Sequence, residues 1–244
     1  MKNKISGKIV ALLLTLIIVA TSGMPLYAKE TGDKANSFRY ENGQSIAKAV
    51  PFSTLSPNAW KKIDGKYYSG DGSVIEGAVA KGIDVSHHQG TVDWKKAKED
   101  GVEFAIIRCG FGMNQTKQDD AQWFNNVKGC EENNIPYGVY LYSYADTVKK
   151  AQSEAEHVLR LIKGHTLAYP VYYDIEEKAV LNKLTAEQLG KIAATFVNKV
   201  KAEGYQTGIY SNKSNFETFL TDSQFSQWNK WVAQYNSAAC TYKG

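Results

Sequence analysis

Two carboxylates two residues apart, Asp174-Ile175-Glu176, are the sharpest chemical feature of this 244-residue sequence. They follow Pro170-Val171-Tyr172-Tyr173, and the whole stretch 170–176 reads as a strand. Residues two apart in a strand face one side, with Cα atoms about 6.6 Å apart. Two carboxyl groups in one pocket resist carrying two charges, so one keeps its proton to higher pH. A carboxylic acid protonated near neutrality is the requirement for general-acid cleavage of a glycosidic bond. The competing reading is a capping or salt-bridging pair where a strand enters a loop. Asp84 ends an earlier short strand, in Asp84-Val85-Ser86-His87-His88-Gln89-Gly90. In a parallel sheet it opens on the same rim as Asp174 and Glu176. Three acids there suit a sugar hydrolase or a divalent metal site. His87 and His88 are adjacent and so point differently, and no ligand-triad spacing accompanies them. No metal is expected.

Tyr140, Tyr142 and Tyr144 share one face of a strand by period two, and Tyr172, Tyr210, Trp231 and Tyr235 lie in or beside other strands. Sugar C–H faces stack on aromatic rings while hydroxyls need polar partners, so these rings are candidate polysaccharide contacts. Rings at strand spacing also serve as core. Arg108 ends the second strand, where it would hold a substrate carboxylate or pair with an acid.

The elements that position these residues alternate from Lys81 onward. Strands are expected at 82–86, 104–109, 137–144, 170–176, 207–210 and 231–235. Helices are expected at 94–100, 121–131 and 148–162, then from the Thr185/Gln188 capping box to Gly204, and at 216–220. Such alternation predicts an α/β fold with a mostly parallel sheet. No Gly-x-Gly-x-x-Gly follows the first strand, which disfavours a dinucleotide fold. Polar residues at the ends of several strands favour a TIM-like β/α barrel.

Ahead of this unit, residues 1–28 have the order of a secretory signal: Lys2, Lys4 and Lys8, an apolar run from Ile9 to Ala20, then Leu26-Tyr27-Ala28. Removing them takes the net charge from +4 to +1, so the basic balance gives no support to a nucleic-acid partner. The apolar run is short for a membrane span and no second run approaches spanning length; the alternative is an uncleaved N-terminal anchor. Residues 29–80 read as a polar linker ending in a hairpin around Trp60 to Tyr68, where Asp-Gly falls between alternating aromatic and polar residues. This hairpin resembles a single aromatic wall-binding repeat; the alternative is a packing extension of the unit that follows. Of Cys109, Cys130 and Cys240, the first two are spaced for a possible bridge, and the odd count leaves one over.

Gly82-Ile83-Asp84-Val85-Ser86 with Gln89-Gly90, Pro136 to Tyr140, Asp174-Ile175-Glu176, Gly208 to Ser211 and Trp231 to Tyr235 together resemble the glycoside hydrolase family 25 lysozymes, over residues 81–244. The resemblance implies a modified, irregular TIM-like β/α barrel and an N-acetylmuramidase. Such an enzyme cuts the β-1,4 bond from N-acetylmuramic acid to N-acetylglucosamine in peptidoglycan. By motif match Glu176 is the general acid, and Asp174 and Asp84 are supporting acids. Tyr140, Tyr142, Tyr172, Tyr210, Trp231, Tyr235 and Arg108 are expected to line the substrate groove. No cofactor is implied. The expected partner is peptidoglycan glycan strands, met by a secreted, wall-associated monomer with no membrane span after signal cleavage. Family members continue past a Cys-Thr-Tyr segment through two more strands and another aspartate. The sequence ends at Cys240-Thr241-Tyr242-Lys243-Gly244, so the expectation is a catalytic domain missing its last strands and weak in activity. The alternative is a wall-binding module derived from this fold.

Overall fold

A computed structural model describes residues 40–41, 44–45, 61–69, 72–234 and 240–244. The signal-like segment 1–28, most of the polar linker and Tyr235 lie outside the described residues. Short strands β1 (Tyr40–Glu41) and β2 (Gln44–Ser45) pair with each other, as do β3 (Lys61–Ile63) and β4 (Lys66–Tyr68). Six further strands form one parallel sheet: β5 (Gly82–Val85), β6 (Phe104–Phe111), β7 (Tyr137–Tyr142), β8 (Val171–Asp174), β9 (Thr207–Asn212) and β10 (Asn229–Ala233). Between them run α1 (Trp94–Glu99), α2 (Trp123–Glu132), α3 (Val148–Ile162), α4 (Lys178–Leu181), α5 (Ala186–Ala202) and α6 (Lys213–Thr218).

Each strand lies beside the next one in sequence, from β5 at one edge to β10 at the other. In a doubly wound sheet the order reverses at a switch point. With no reversal and one crossover hand, the helices all fall on one face. The right-handed strand twist then curls the sheet into part of a barrel. Ile107, Cys109, Val139, Leu141, Val171, Tyr173 and Ile209 are fully buried on the helix-covered face. Their partners from the helices include Val158, Ile162, Phe196 and Val200, and the Tyr173 ring stacks on Phe196 at 3.9 Å. The alternating residues Asp84, Arg108, Tyr140, Tyr172, Asp174, Tyr210 and Trp231 face the concave side.

Local signals set the boundaries. Thr185 and Gln188 form the expected capping box, with Thr185 Oγ1 accepting from Gln188 N and Gln188 Oε1 from Thr185 N. Gly204 stops α5 in a left-handed conformation at φ +87°. Asp64 and Gly65 join β3 to β4, both with positive φ, which a two-residue hairpin turn matched to strand twist requires. Tyr67 buries its ring and donates its hydroxyl to Glu103 Oε2 at 2.6 Å. Lys62 Nζ and Lys81 N donate to the same carboxylate. The hairpin is thereby tied to the end of the sheet where β6 begins, opposite the rim bearing Asp174.

Several expected boundaries shift. The strand expected at 170–176 closes at Asp174, that at 137–144 closes at Tyr142, and that at 231–235 occupies Asn229–Ala233. The helix expected at 216–220 starts earlier, at Lys213, because Asn212 caps it by accepting from Asn215 N. Cys109 and Cys130 are both buried and unbridged thiols. Cys109 Sγ–H donates instead to Tyr140 O.

Gly129 in α2 faces Trp94 of α1, and an added Cβ there would run into the indole. Helix propensity alone favours alanine by about 1 kcal/mol, whereas overpacking a filled site costs about 1–3 kcal/mol. Gly129→Ala is expected to lower the urea midpoint; an unchanged or higher midpoint would show that α1 and α2 separate freely.

Candidate active site

Asp84 is the third residue of β5, Arg108 the fifth of β6, and Asp174 the last of β8. Strand register places Tyr140 beside Tyr172, Tyr142 beside Asp174, and Asp174 beside Tyr210. Glu176 lies two residues past the end of β8 and is half-buried, whereas Asp174 is only 2% exposed. The two expected partners therefore stand at different depths: Asp174 is sealed under the rim and Glu176 rises towards solvent.

Burial pushes the Asp174 carboxyl well above the usual carboxylate range, and the charges of Glu176 and Asp84 push it further, while Arg108 works against them. Its Oδ1 has no hydrogen-bond partner among the described residues, which removes the usual compensation for burying an ionised carboxylate. Asp84 is also raised by desolvation, partly offset by a backbone hydrogen bond. Asp84 is nevertheless solvent-exposed, so Asp174 carries the larger burden. The expectation that one acid of the pair holds its proton falls on Asp174, the residue the strand itself buries.

Arg108 is the cation that faces these acids, and it is 1% exposed. Of its two expected roles, acid pairing is the one seen: Nε donates to Asp120 Oδ2 at 2.7 Å, and Nη2 donates to His87 Nδ1. Asp120 also accepts from the backbone N–H groups of His87 at 3.1 Å and Gln122 at 2.9 Å. Burial favours its neutral form, but the His87 side chain, the Arg108 charge and the two backbone N–H groups outweigh it and hold the carboxyl down to about 2. His87 is presented by a short turn, His87–Gln89, with its own capping box between Ser86 and Gln89. Neighbouring Asp119 points the other way, to His157 Nε2 at 2.8 Å and Arg160 Nη1 at 3.0 Å on α3. The Asp119-Asp120 pair thus fastens the loop after β6 both to a helix outside the sheet and to Arg108 inside it.

Trp231 gathers the concave-face rings, with Tyr210 at 4.4 Å, Tyr172 at 5.4 Å and Tyr140 at 5.7 Å between centroids. All four rings are partly exposed, so they form an aromatic floor open to a ligand. Tyr142 is buried instead, and its hydroxyl donates to Glu177 Oε2 at 3.3 Å. Behind the rim, Glu154 of α3 is fully buried and accepts from Ser143 Oγ, Tyr173 OH and Tyr144 N. Burial pushes it up to about 7 despite those three bonds. Asp120, Glu154 and Glu177 escaped the sequence reading. Only the adjacent acids Asp119-Asp120 and Glu176-Glu177 gave any signal, and pairs of exposed acids look the same.

The family model for glycosyl hydrolases family 25 matches residues 83–243, well over half of the chain. The autolytic lysozyme of Clostridium acetobutylicum is 28% identical over 155 residues, which is 64% of this chain and 45% of that protein. Among solved structures, the modular autolysin LytC of Streptococcus pneumoniae superposes with a TM-score of 0.65 at 32% identity, covering 75% of this chain and 44% of that one. It has also been solved with a synthetic peptidoglycan ligand. The CTP1L endolysin gives a TM-score of 0.54 at 25% identity, covering 64% of this chain and 52% of that one. The chain spans less than half the length of the first two relatives.

Two outcomes follow from the charges. Truncating one partner of a buried ion pair strands the other, at a cost of about 3–5 kcal/mol, so Asp120→Ala should destabilise far more than loss of a surface carboxylate; a loss under about 1 kcal/mol in urea unfolding would contradict this. A carboxyl whose folded pKa is raised favours the folded state below its unfolded pKa and loses that contribution as pH rises through the folded value. For Glu154 this window runs from 4.5 to about 7. Unfolding free energy should therefore fall with pH across it, and Glu154→Gln should flatten the slope by up to about 1.4 kcal/mol per pH unit. Equal slopes in the two proteins would rule out the buried acid as their source.

Proposed function

The chain belongs to glycosyl hydrolases family 25, and from that membership we propose that it is a peptidoglycan hydrolase of the lysozyme type. The bond cut is the β-1,4 link from N-acetylmuramic acid to N-acetylglucosamine. The observation that carries the reading is the juxtaposition of Asp174, Glu176 and Asp84 with one buried cation, Arg108, at the floor of an aromatic concavity. The lysozyme and autolysin names of the relatives support the same substrate.

In this reading Glu176 protonates the leaving oxygen, because it is the acid that stands at the rim where a glycan can reach it. A sugar chain laid over the rim removes water from Glu176 and raises its affinity for a proton. Asp174 holds the proton of the pair in the free protein, and a glycan covering Glu176 draws that proton to the outer carboxyl, with Arg108 favouring the ionised Asp174 left behind. Ionised Asp174 and Asp84 then place negative charge under the sugar ring, where the oxocarbenium-like transition state is positive. The rings of Tyr140, Tyr172, Tyr210 and Trp231 hold the sugar faces, with Tyr142 behind them; Tyr235 is assigned to the same groove on its motif alone. The signal-like segment sends the chain out of the cell to act at the wall.

Glu176→Gln should lower the release of reducing muramic acid ends from purified peptidoglycan by about 10²–10⁴-fold. Asp174→Asn should also impair it, by disturbing the shared proton. Undiminished release in Glu176→Gln would overturn the assignment, and tight wall binding by the wild type with no release would favour a binding module instead.

A further inference from the structure

Outside the acid cluster, the loops that follow β6, β7 and β8 enclose a cavity of about 420 Å³, within the range of small-ligand sites. A register irregularity in β6 helps to build it. Arg108 pairs with Tyr140 but Gly110 pairs with Leu141, so Cys109 is left over and Phe111 pairs with Tyr142. A bulge of this kind re-aims the side chain that follows it, and Phe111 lines the cavity. Tyr144 meets Phe111 edge-on at 6.4 Å and Tyr142 at 5.1 Å. Glu177, the residue after Glu176, lines the cavity and accepts from the Tyr142 hydroxyl.

Three kinds of group face this space. Lys150 and Lys183 both hold Asp146, at 2.7 Å and 2.9 Å, and push its carboxyl down to about 2. Asp146 and Glu177 line the space together with Lys150 and Lys183, so the lining charges balance and a ligand carboxylate would compete with Asp146 for the two ammonium groups. Gln118 Oε1 is buried with no hydrogen-bond partner among the described residues, and its side chain lines the cavity. An orphaned buried acceptor calls for a donor from elsewhere. Phe111 and Tyr144 supply apolar faces.

We propose that this cavity binds the short peptide attached to the muramic acid residues of the glycan. Its amide N–H groups meet Gln118, its carboxylates meet Lys183 and Lys150, and its small apolar side chains lie on Phe111 and Tyr144. A bare sugar offers hydroxyls but neither carboxylates nor methyl side chains. The site rests on the peptidoglycan hydrolase reading for its ligand, and makes the enzyme selective for glycan that still carries peptide.

The test uses the full chain and two substrates, peptidoglycan glycan strands with their peptides and the same strands stripped of them by an amidase. The wild type should show kcat/KM about five- to tenfold higher on the peptide-bearing strands, expressed in KM. Lys183→Met should bring this ratio towards one, and Lys183→Arg should retain it. Equal rates on both substrates, or an unchanged ratio in Lys183→Met, would overturn the proposal while leaving the hydrolase reading intact. Independently, N-acetylmuramyl-L-alanyl-D-isoglutamine should shift the NMR signals of Gln118, Tyr144 and Lys183, and N-acetylmuramic acid alone should not. Those peptide-dependent shifts in a protein that cuts neither substrate would refute the hydrolase reading and leave the peptide site standing. Their absence would refute the site.

Discussion

The sequential order of the parallel sheet is the constraint from which the rest follows. When each strand lies beside its predecessor, one crossover hand puts every helix on the same face. That face takes the fully buried apolar strand residues, from Ile107 and Val139 to Tyr173 and Ile209. The other face receives no helix and curls inward. Side chains there meet each other, solvent and the loops at the strand ends, so their chemistry is set by what the register and those loops bring together.

What it brings together is a surplus of acids around one cation. Asp174 is raised by burial and by Glu176 and Asp84, and Arg108 opposes them. Arg108 is held from the other side by Asp120 and His87. Asp174 Oδ1 has no hydrogen-bond partner among the described residues. A structure that fully paired Arg108 with Asp174 would be more stable and less able to move a proton. The Asp119-Asp120 bracket, fastened by His157 and Arg160 on α3, keeps that compromise in place.

The different depths of Asp174 and Glu176 divide labour between them. The inner carboxyl responds to burial and the field of the sheet. The outer one responds to whatever covers the rim. Further along the same rim, the bulge in β6 turns Phe111 into a cavity that already holds two lysines and an orphaned amide oxygen. One rim therefore carries both the acid pair and this cavity.

Much of the fold was legible in the sequence. The capping box at Thr185 and Gln188, the apolar spacing of α5 and α3, the Asp64-Gly65 hairpin turn and the six short apolar strands are local signals, each decided by hydrogen bonds or burial within a few residues. Asp84, Asp174 and Glu176 were legible as acids at strand ends. The strand ends themselves shifted by two residues, because ladder partners rather than propensity decide where a strand stops. Asp120, Glu154 and Glu177 were not legible: their roles depend on partners 11 to 35 residues away. The same is true of Arg108, whose type the sequence determined but whose choice between substrate and acid the fold made. Local chemistry fixes which elements form and which residues can ionise; only packing removes water from a particular carboxyl and decides which charges face it.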